Sequence, residues 1–160
     1  MHHNRAPAIL AVVLVCFTST SSRAAGCDDL IARHMIGQAM LTAQFVAVAE
    51  KAGMMPAQIN SALNAVAESS AIEEFWITDS AGHAYLTNTG IDFTFNPDPA
   101  KQPQAAAFWA LLDGREKIVV QDTRKREIDN RVFKYVGVAG VDKPRIVQVG
   151  VSGKNLPVCK

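Results

Sequence analysis

The sequence predicts an α+β domain in which a five-stranded antiparallel sheet is packed by a long N-terminal helix, with a short helix at a crossover between strands. Three observations carry that prediction. Residues 131–140 (Arg-Val-Phe-Lys-Tyr-Val-Gly-Val-Ala-Gly) and 145–151 (Arg-Ile-Val-Gln-Val-Gly-Val) are rich in β-branched residues and separated only by Val141-Asp-Lys-Pro144, so they read as adjacent antiparallel strands. Residues 30–51 contain no proline and repeat their apolar residues at helical spacing. The other strand-like runs are also joined by hairpin turns, and helical segments are confined to the start and the crossover, which indicates α+β rather than α/β.

The first 26 residues have the layout of a secretory signal peptide: Arg5 gives a basic start, residues 6–17 an apolar run, and residues 18–26 small side chains suited to cleavage. That run is shorter than the ~20 residues of a membrane-spanning helix, so no stable membrane span is expected. Residues 27–160 are then one exported, periplasmic domain, a size in keeping with 49% hydrophobic and 19% charged content. Loss of Arg5 and Arg23 leaves 14 basic against 15 acidic residues, a formal charge of −1, and with no basic face nucleic acid is not an expected partner. Cys16 leaves with the signal peptide. Cys27 and Cys159 remain, and an isolated pair in an oxidising compartment is most simply a disulfide joining the two ends of the domain. A second outcome is open, because Ala24-Ala-Gly-Cys27 resembles a lipoprotein cleavage box in which Cys27 is lipidated, although its usual leucine is missing.

Asp28 and Asp29 stand where an N-cap belongs, and Ile31, Met35, Leu41, Phe45 and Val48 give the first helix its apolar stripe before Gly53 stops it. Pro56 suits the first turn of a second helix, whose apolar face is Ile59, Leu63 and Val66. Residues 74–79 read as a strand, Ser80-Ala-Gly82 as a tight turn, and residues 83–87 as the return strand. Residues 88–104 are a loop rich in proline, glycine, asparagine and aspartate, which must bury Phe93 and Phe95 somewhere. The short helix covers residues 104–112, a third strand residues 117–126, and Asp129-Asn130 turns the chain into the final pair of strands.

The chain has no Cys-x-x-Cys, His-Glu-x-x-His, Gly-x-Ser-x-Gly or Gly-x-Gly-x-x-Gly, and after export only His34 and His83 remain. No enzyme, cofactor or metal is expected on that basis. His34 reads as a packing histidine and Asp79 as a turn-forming carboxylate. Aromatic and polar side chains do concentrate on elements that would surround one sheet face, as in a small-molecule site. Tyr85, Phe93, Phe95, Trp109 and Tyr135 are candidate walls, and Gln121, Arg124, Arg126, Lys134 and Gln148 candidate donors. Alternation along residues 132–139 sends Phe133, Tyr135, Gly137 and Ala139 one way and Lys134 the other, so Tyr135 is the better pocket residue, with the glycine and alanine leaving room beside it. The competing reading is that these aromatics fill the core of a small domain.

Phe75-Trp-Ile-Thr-Asp-Ser-Ala-Gly-His-Ala-Tyr-Leu-Thr-Asn88, Phe108-Trp-Ala-Leu-Leu-Asp-Gly114 and the stretch from Phe133 to Gly150, taken in that order, resemble the Cache sensor domains, PAS-like extracytoplasmic ligand-binding modules of bacterial receptors. The resemblance implies a small ligand held between the sheet and the intervening loops. No second membrane helix or signalling module follows in this sequence, so it resembles a solitary Cache domain. The expected function is capture of a small polar metabolite, such as a short carboxylate, by Tyr85, Trp109, Gln121, Arg124, Arg126, Tyr135 and Gln148, with a separate membrane receptor as a possible partner. The alternative is a non-binding PAS-like protein that regulates a periplasmic partner through its surface.

Overall fold

A computed structural model of the protein describes residues 21–158. Its elements are α1 (Ser21–Lys51), α2 (Pro56–Ser69), β1 (Glu74–Thr78), β2 (Ala84–Thr87), a 3-10 helix (Ala105–Leu111), β3 (Ile118–Val120), β4 (Arg124–Lys125), β5 (Val132–Ala139) and β6 (Ile146–Ser152). The strands form one antiparallel sheet in the order β2-β1-β6-β5-β3, with β4 also paired to β5. The expected third strand is present as two pieces. Val120 pairs with Val136 but Arg124 pairs with Phe133, so the register shifts by one residue between them. β3 and β4 are thus one edge strand broken by a bulge, and the sheet has the PAS-like arrangement. The break re-aims the chain so that Arg126, just beyond β4, is buried while Arg124 and Lys125 stay exposed.

Two features of α1 differ from expectation. The helix starts at Ser21 and runs through Asp28 and Asp29, so neither caps it. Their carboxylates meet cations instead: Asp28 lies 3.1 Å from Lys134 Nζ and Asp29 3.2 Å from Arg33 Nε. The buried stripe keeps Met35, with Ile31 packed at its edge, but is otherwise a different one. Leu41 and Val48 are 66% and 64% exposed, whereas Ala32, Met35, Ala39, Ala43, Val46 and Ala49 are buried against the sheet. Small side chains let the helix axis lie close to the strands, and close packing outweighs the larger hydrophobicity of Leu, Phe and Val. Phe45 is half-exposed and, with Leu41 and Val66, borders a groove between α1 and α2.

Alternation along the strands divides the core in two. Phe75, Ile77, Leu86, Val136, Val138, Val147, Val149 and Val151 face the two α-helices, joined by Ile59 and Leu63 of α2. Trp76, Phe133, Tyr135 and Ile146 face the other way, against Phe95 of the loop and Phe108 and Leu111 of the 3-10 helix. Full burial of a Phe such as Phe108 or Phe133 contributes ~1.5–3 kcal/mol each. The space above Gly137 does not serve a ligand, as alternation suggested: a Cβ there would lie 2.7 Å from Phe108 and 2.9 Å from Leu111, so the glycine seats the 3-10 helix.

Candidate functional site

On the loop-facing side of the sheet lies a cavity of about 20 Å³, lined by Trp76, Phe93, Phe95, Gln104, Ala105, Arg126, Ile128, Tyr135 and Gln148. Strand register builds its floor. Gln148 on the central strand β6 pairs with Trp76 on β1 and Gly137 on β5, so its side chain rises between an indole and a residue with no side chain. The loop supplies one wall through edge-on aromatic contacts, with ring centroids 5.6 Å apart for Trp76–Phe93 and 5.1 Å for Phe93–Phe95. This answers where the two loop phenylalanines go. Ile128, at the tip of the β4–β5 hairpin, covers another side. The volume suits a single water molecule.

A polar cluster adjoins this space. Glu74 and Tyr135 sit on strands separated by β6, each paired with Gly150. Because Gly150 has no side chain, the Tyr135 ring lies across it, 2.4 Å from where a Cβ would be, and its hydroxyl donates to Glu74 Oε2 at 2.8 Å. The same oxygen accepts from Trp76 Nε1 at 3.1 Å, and Oε1 accepts from Arg126 Nη1. Arg126 Nη1 also approaches the Tyr135 hydroxyl at 3.3 Å. The guanidinium's other edge is held by Asp129, Nε to Oδ1 and Nη2 to Oδ2, both at 2.6 Å. Its flat face covers the Phe133 ring at 4.5 Å, and Phe133 stacks on Tyr135 at 5.3 Å.

This arrangement fixes the charge states. The bond from Asp129, acting against burial, and the neighbouring Tyr135 and Glu74 hold the Arg126 pKa above its usual value, so the guanidinium is permanently charged. Asp129 is held well below the usual carboxylate range by the same bond. Burial first, then the Glu74 charge, push the Tyr135 hydroxyl up, so it stays a neutral donor. Gln148 is the exception in an otherwise satisfied cluster. It is 4% exposed and lines the cavity, yet among the described residues its side-chain amide forms no hydrogen bond. Its polar atoms open onto the cavity, where an entering polar group can meet them.

Of the residues singled out from the sequence, Arg126, Tyr135 and Gln148 are brought together here, and Phe93 and Phe95 form part of the wall. The others are elsewhere. Tyr85 bonds Glu50 at the end of α1 and accepts from Arg145 Nη1 at 2.7 Å. Trp109 packs over the turn at Gly82, where a Cβ would lie 2.6 Å from its ring. Gln121 stands one step behind the cavity, exchanging hydrogen bonds with Gln104 at 3.1 and 2.6 Å. Arg124 is exposed on β4. Lys134 points to the helix face, as alternation requires, and bonds Asp28 and the Gln121 carbonyl. His34 is exposed on α1 rather than packed, and His83 pairs with Asp92 at 3.0 Å. Asp79 is a turn carboxylate, accepting from the amides of Ala81 and His83 at 2.8 and 3.0 Å.

Glu74, Trp76, Gln104, Ala105 and Ile128 were not singled out as site residues from the sequence. Glu74 shares the face of Trp76 at a spacing of two, on a strand that the structure buries along its whole length. Cys159 and most of the proposed signal segment lie outside the described residues, whereas Cys27 is half-buried within α1. Asn155, Leu156 and Pro157 line a groove with Ile31 and His34, one to two turns beyond Cys27. Among the described residues no His, Cys, Asp and Glu cluster has metal-binding geometry, and no helix is long and apolar enough to cross a membrane. What the cavity can do chemically is bind, with a fixed cation, a neutral hydroxyl and a carboxamide at one end and aromatic walls around them. Set against protein-family models and functionally curated proteins, the chain matches none, so the case for its function rests on this cavity.

Proposed function

We propose that the chain is an exported, Cache-like binding domain that captures a small polar metabolite, with a short carboxylate as the leading class, and reports to a separate membrane receptor. The observation that supports this reading best is Gln148, whose carboxamide lines an aromatic-walled cavity beside a charged arginine. The PAS-like strand order supports it as well, since the cavity lies between the sheet and its long loop. Thermal-shift measurements on the exported protein against short carboxylates, amino acids and small amides test it. Stabilisation that grows with concentration is expected for at least one class, following the ligand's occupancy, and a flat response to all of them sinks the reading.

Export and closure of the ends belong to the same proposal. The segment at residues 155–157 lies alongside the first turns after Cys27, which supports a Cys27–Cys159 disulfide. An intact mass two hydrogens lighter before reduction is the expected result, and a lipid increment on Cys27 replaces it with the lipoprotein alternative. A second reading, a non-binding regulatory domain, is favoured by the cavity volume of about 20 Å³, which holds no organic molecule without rearrangement.

A further inference from the structure

The guanidinium beside the cavity has two carboxylate partners of unlike kinds. Glu74 is fixed: it lies within the sheet, its side chain is 7% exposed, and it also accepts from Tyr135 and Trp76. Asp129 is local, three residues from Arg126 on the hairpin tip, with its side chain 35% exposed. It takes the Nε and Nη2 edge of Arg126, the two-point geometry in which a guanidinium binds any carboxylate. Ile128, its neighbour on the tip, is part of the cavity wall. The resident carboxylate and the wall that closes the cavity are therefore carried on one short segment.

We propose that Asp129 is a built-in stand-in for the carboxylate of the ligand, and that binding exchanges one for the other as the hairpin tip at residues 127–130 swings outward. This rests on the ligand-binding reading above and adds how the site opens. Three physical points favour the exchange. The number of charges around Arg126 is conserved, so the buried guanidinium is never left with an unmatched edge, the state that makes breaking such pairs costly. Asp129 moves from partial to full hydration. Withdrawal of Ile128 enlarges a space that otherwise holds one water, and an arriving acid with a second polar group reaches the unpaired Gln148 amide. Until then Asp129 competes from within the same chain, at the high effective concentration of a tethered group, and lowers the apparent affinity by the fraction of protein held closed.

The test is calorimetric titration of the exported protein with acetate, propionate and lactate, and with their amides as neutral counterparts, using the wild type, Asp129→Asn and Asp142→Asn. Asp129→Asn keeps an oxygen for the Arg131 amide, which Asp129 Oδ1 accepts at 3.0 Å, so the turn retains its local bond. Asp142→Asn makes the same change at the other buried arginine, Arg145. The expected result is carboxylate binding ~10-fold or more tighter in Asp129→Asn than in wild type, with amide binding and the Asp142→Asn protein unchanged. Hydrogen exchange gives a second readout on the wild type alone: amides at residues 127–131 exchange faster with carboxylate bound. Should Asp129→Asn fail to fold, that readout decides, and unchanged or slower exchange at the tip overturns the proposal. Equal carboxylate affinity in Asp129→Asn and wild type, or binding of amides only, overturns the exchange and leaves the binding reading standing. Absence of binding to any compound in every variant removes both.

Discussion

Arg126 and Arg145 are held by matching sets of groups at opposite ends of β6. Each guanidinium is almost wholly buried and meets a glutamate, a tyrosine hydroxyl and an aspartate three residues away in a hairpin turn: Glu74, Tyr135 and Asp129 for one, Glu50, Tyr85 and Asp142 for the other. The difference lies in which elements the groups come from. Glu50 is on the last turn of α1, so the Arg145 cluster ties that helix to the β5–β6 turn, with Lys143 Nζ adding a further bond to Glu50 at 2.8 Å. The Arg126 cluster involves no helix. It spans β1, β5 and the β4–β5 hairpin, and it borders the cavity. The same chemistry thus serves as a tie where it joins two layers and as one end of a candidate site where it lies within a single layer beside open space. Among the described residues the tie leaves one buried group unmatched, Arg145 Nε, whereas the Arg126 cluster lies beside the Gln148 amide, which opens onto the cavity.

The largest expected effect separates the clusters by burial. Glu74→Ala removes the acceptor of Arg126, Tyr135 and Trp76 at once and should cost ~3–5 kcal/mol in urea unfolding, because it breaks a buried pair from one side. Glu50→Ala, at a side chain 23% exposed against 7% for Glu74, should cost less, ~1–3 kcal/mol, because water can reach the charges left behind. Equal losses would dissolve the distinction. Next is Gly150→Ala, whose methyl group would meet the Tyr135 ring at 2.4 Å and push it off Glu74. A loss of ~1–3 kcal/mol is expected, along with a changed tyrosine fluorescence, and an unchanged unfolding curve would mean that the ring has another resting place.

Acid sensitivity should be marked at the tie. Burial raises the Glu50 pKa, but bonds from Arg145, Lys143 and Tyr85 outweigh it and bring the carboxyl from 4.5 down to about 2. A folded value below the unfolded one means that the stabilisation is complete above about pH 4.5 and is lost as the pH falls towards 2. Glu50→Gln should therefore flatten the stability profile across that window, and a profile parallel to wild type would contradict the assignment. The smallest stability effect belongs to Gln148→Leu, which replaces an unpaired amide by an apolar side chain of similar size. Its change should stay within ~1 kcal/mol, while ligand stabilisation, where wild type shows it, disappears.

The strands were legible because their β-branched runs and turn residues agree, and Tyr135 could be placed on the cavity face by alternation alone. α1 was read less well. Hydropathy ranks Leu41, Phe45 and Val48 above alanine, but contact with a flat sheet is decided by how near the helix axis can come, and Ala39, at 0% exposure, brings it nearer. Arg124 and Arg126 looked equivalent in sequence because the one-residue slip between β3 and β4 leaves no compositional mark. Glu74 was hidden for another reason: a glutamate at the start of a strand ordinarily reads as a solvated end, and only its partners, 52 and 61 residues away along the chain, make it a buried one.

Adjacent residues of β5 bear on both halves of the molecule. Tyr135 stands over Gly150 on the cavity side, while Lys134, 1% exposed, reaches through the opposite face to Asp28 of α1 and the Gln121 carbonyl. Joined by a single planar peptide, the two side chains leave opposite faces of the sheet from neighbouring positions opposite Val151 and Gly150. The cavity cluster and the long helix behind the sheet are therefore one residue apart along β5, with no loop between them.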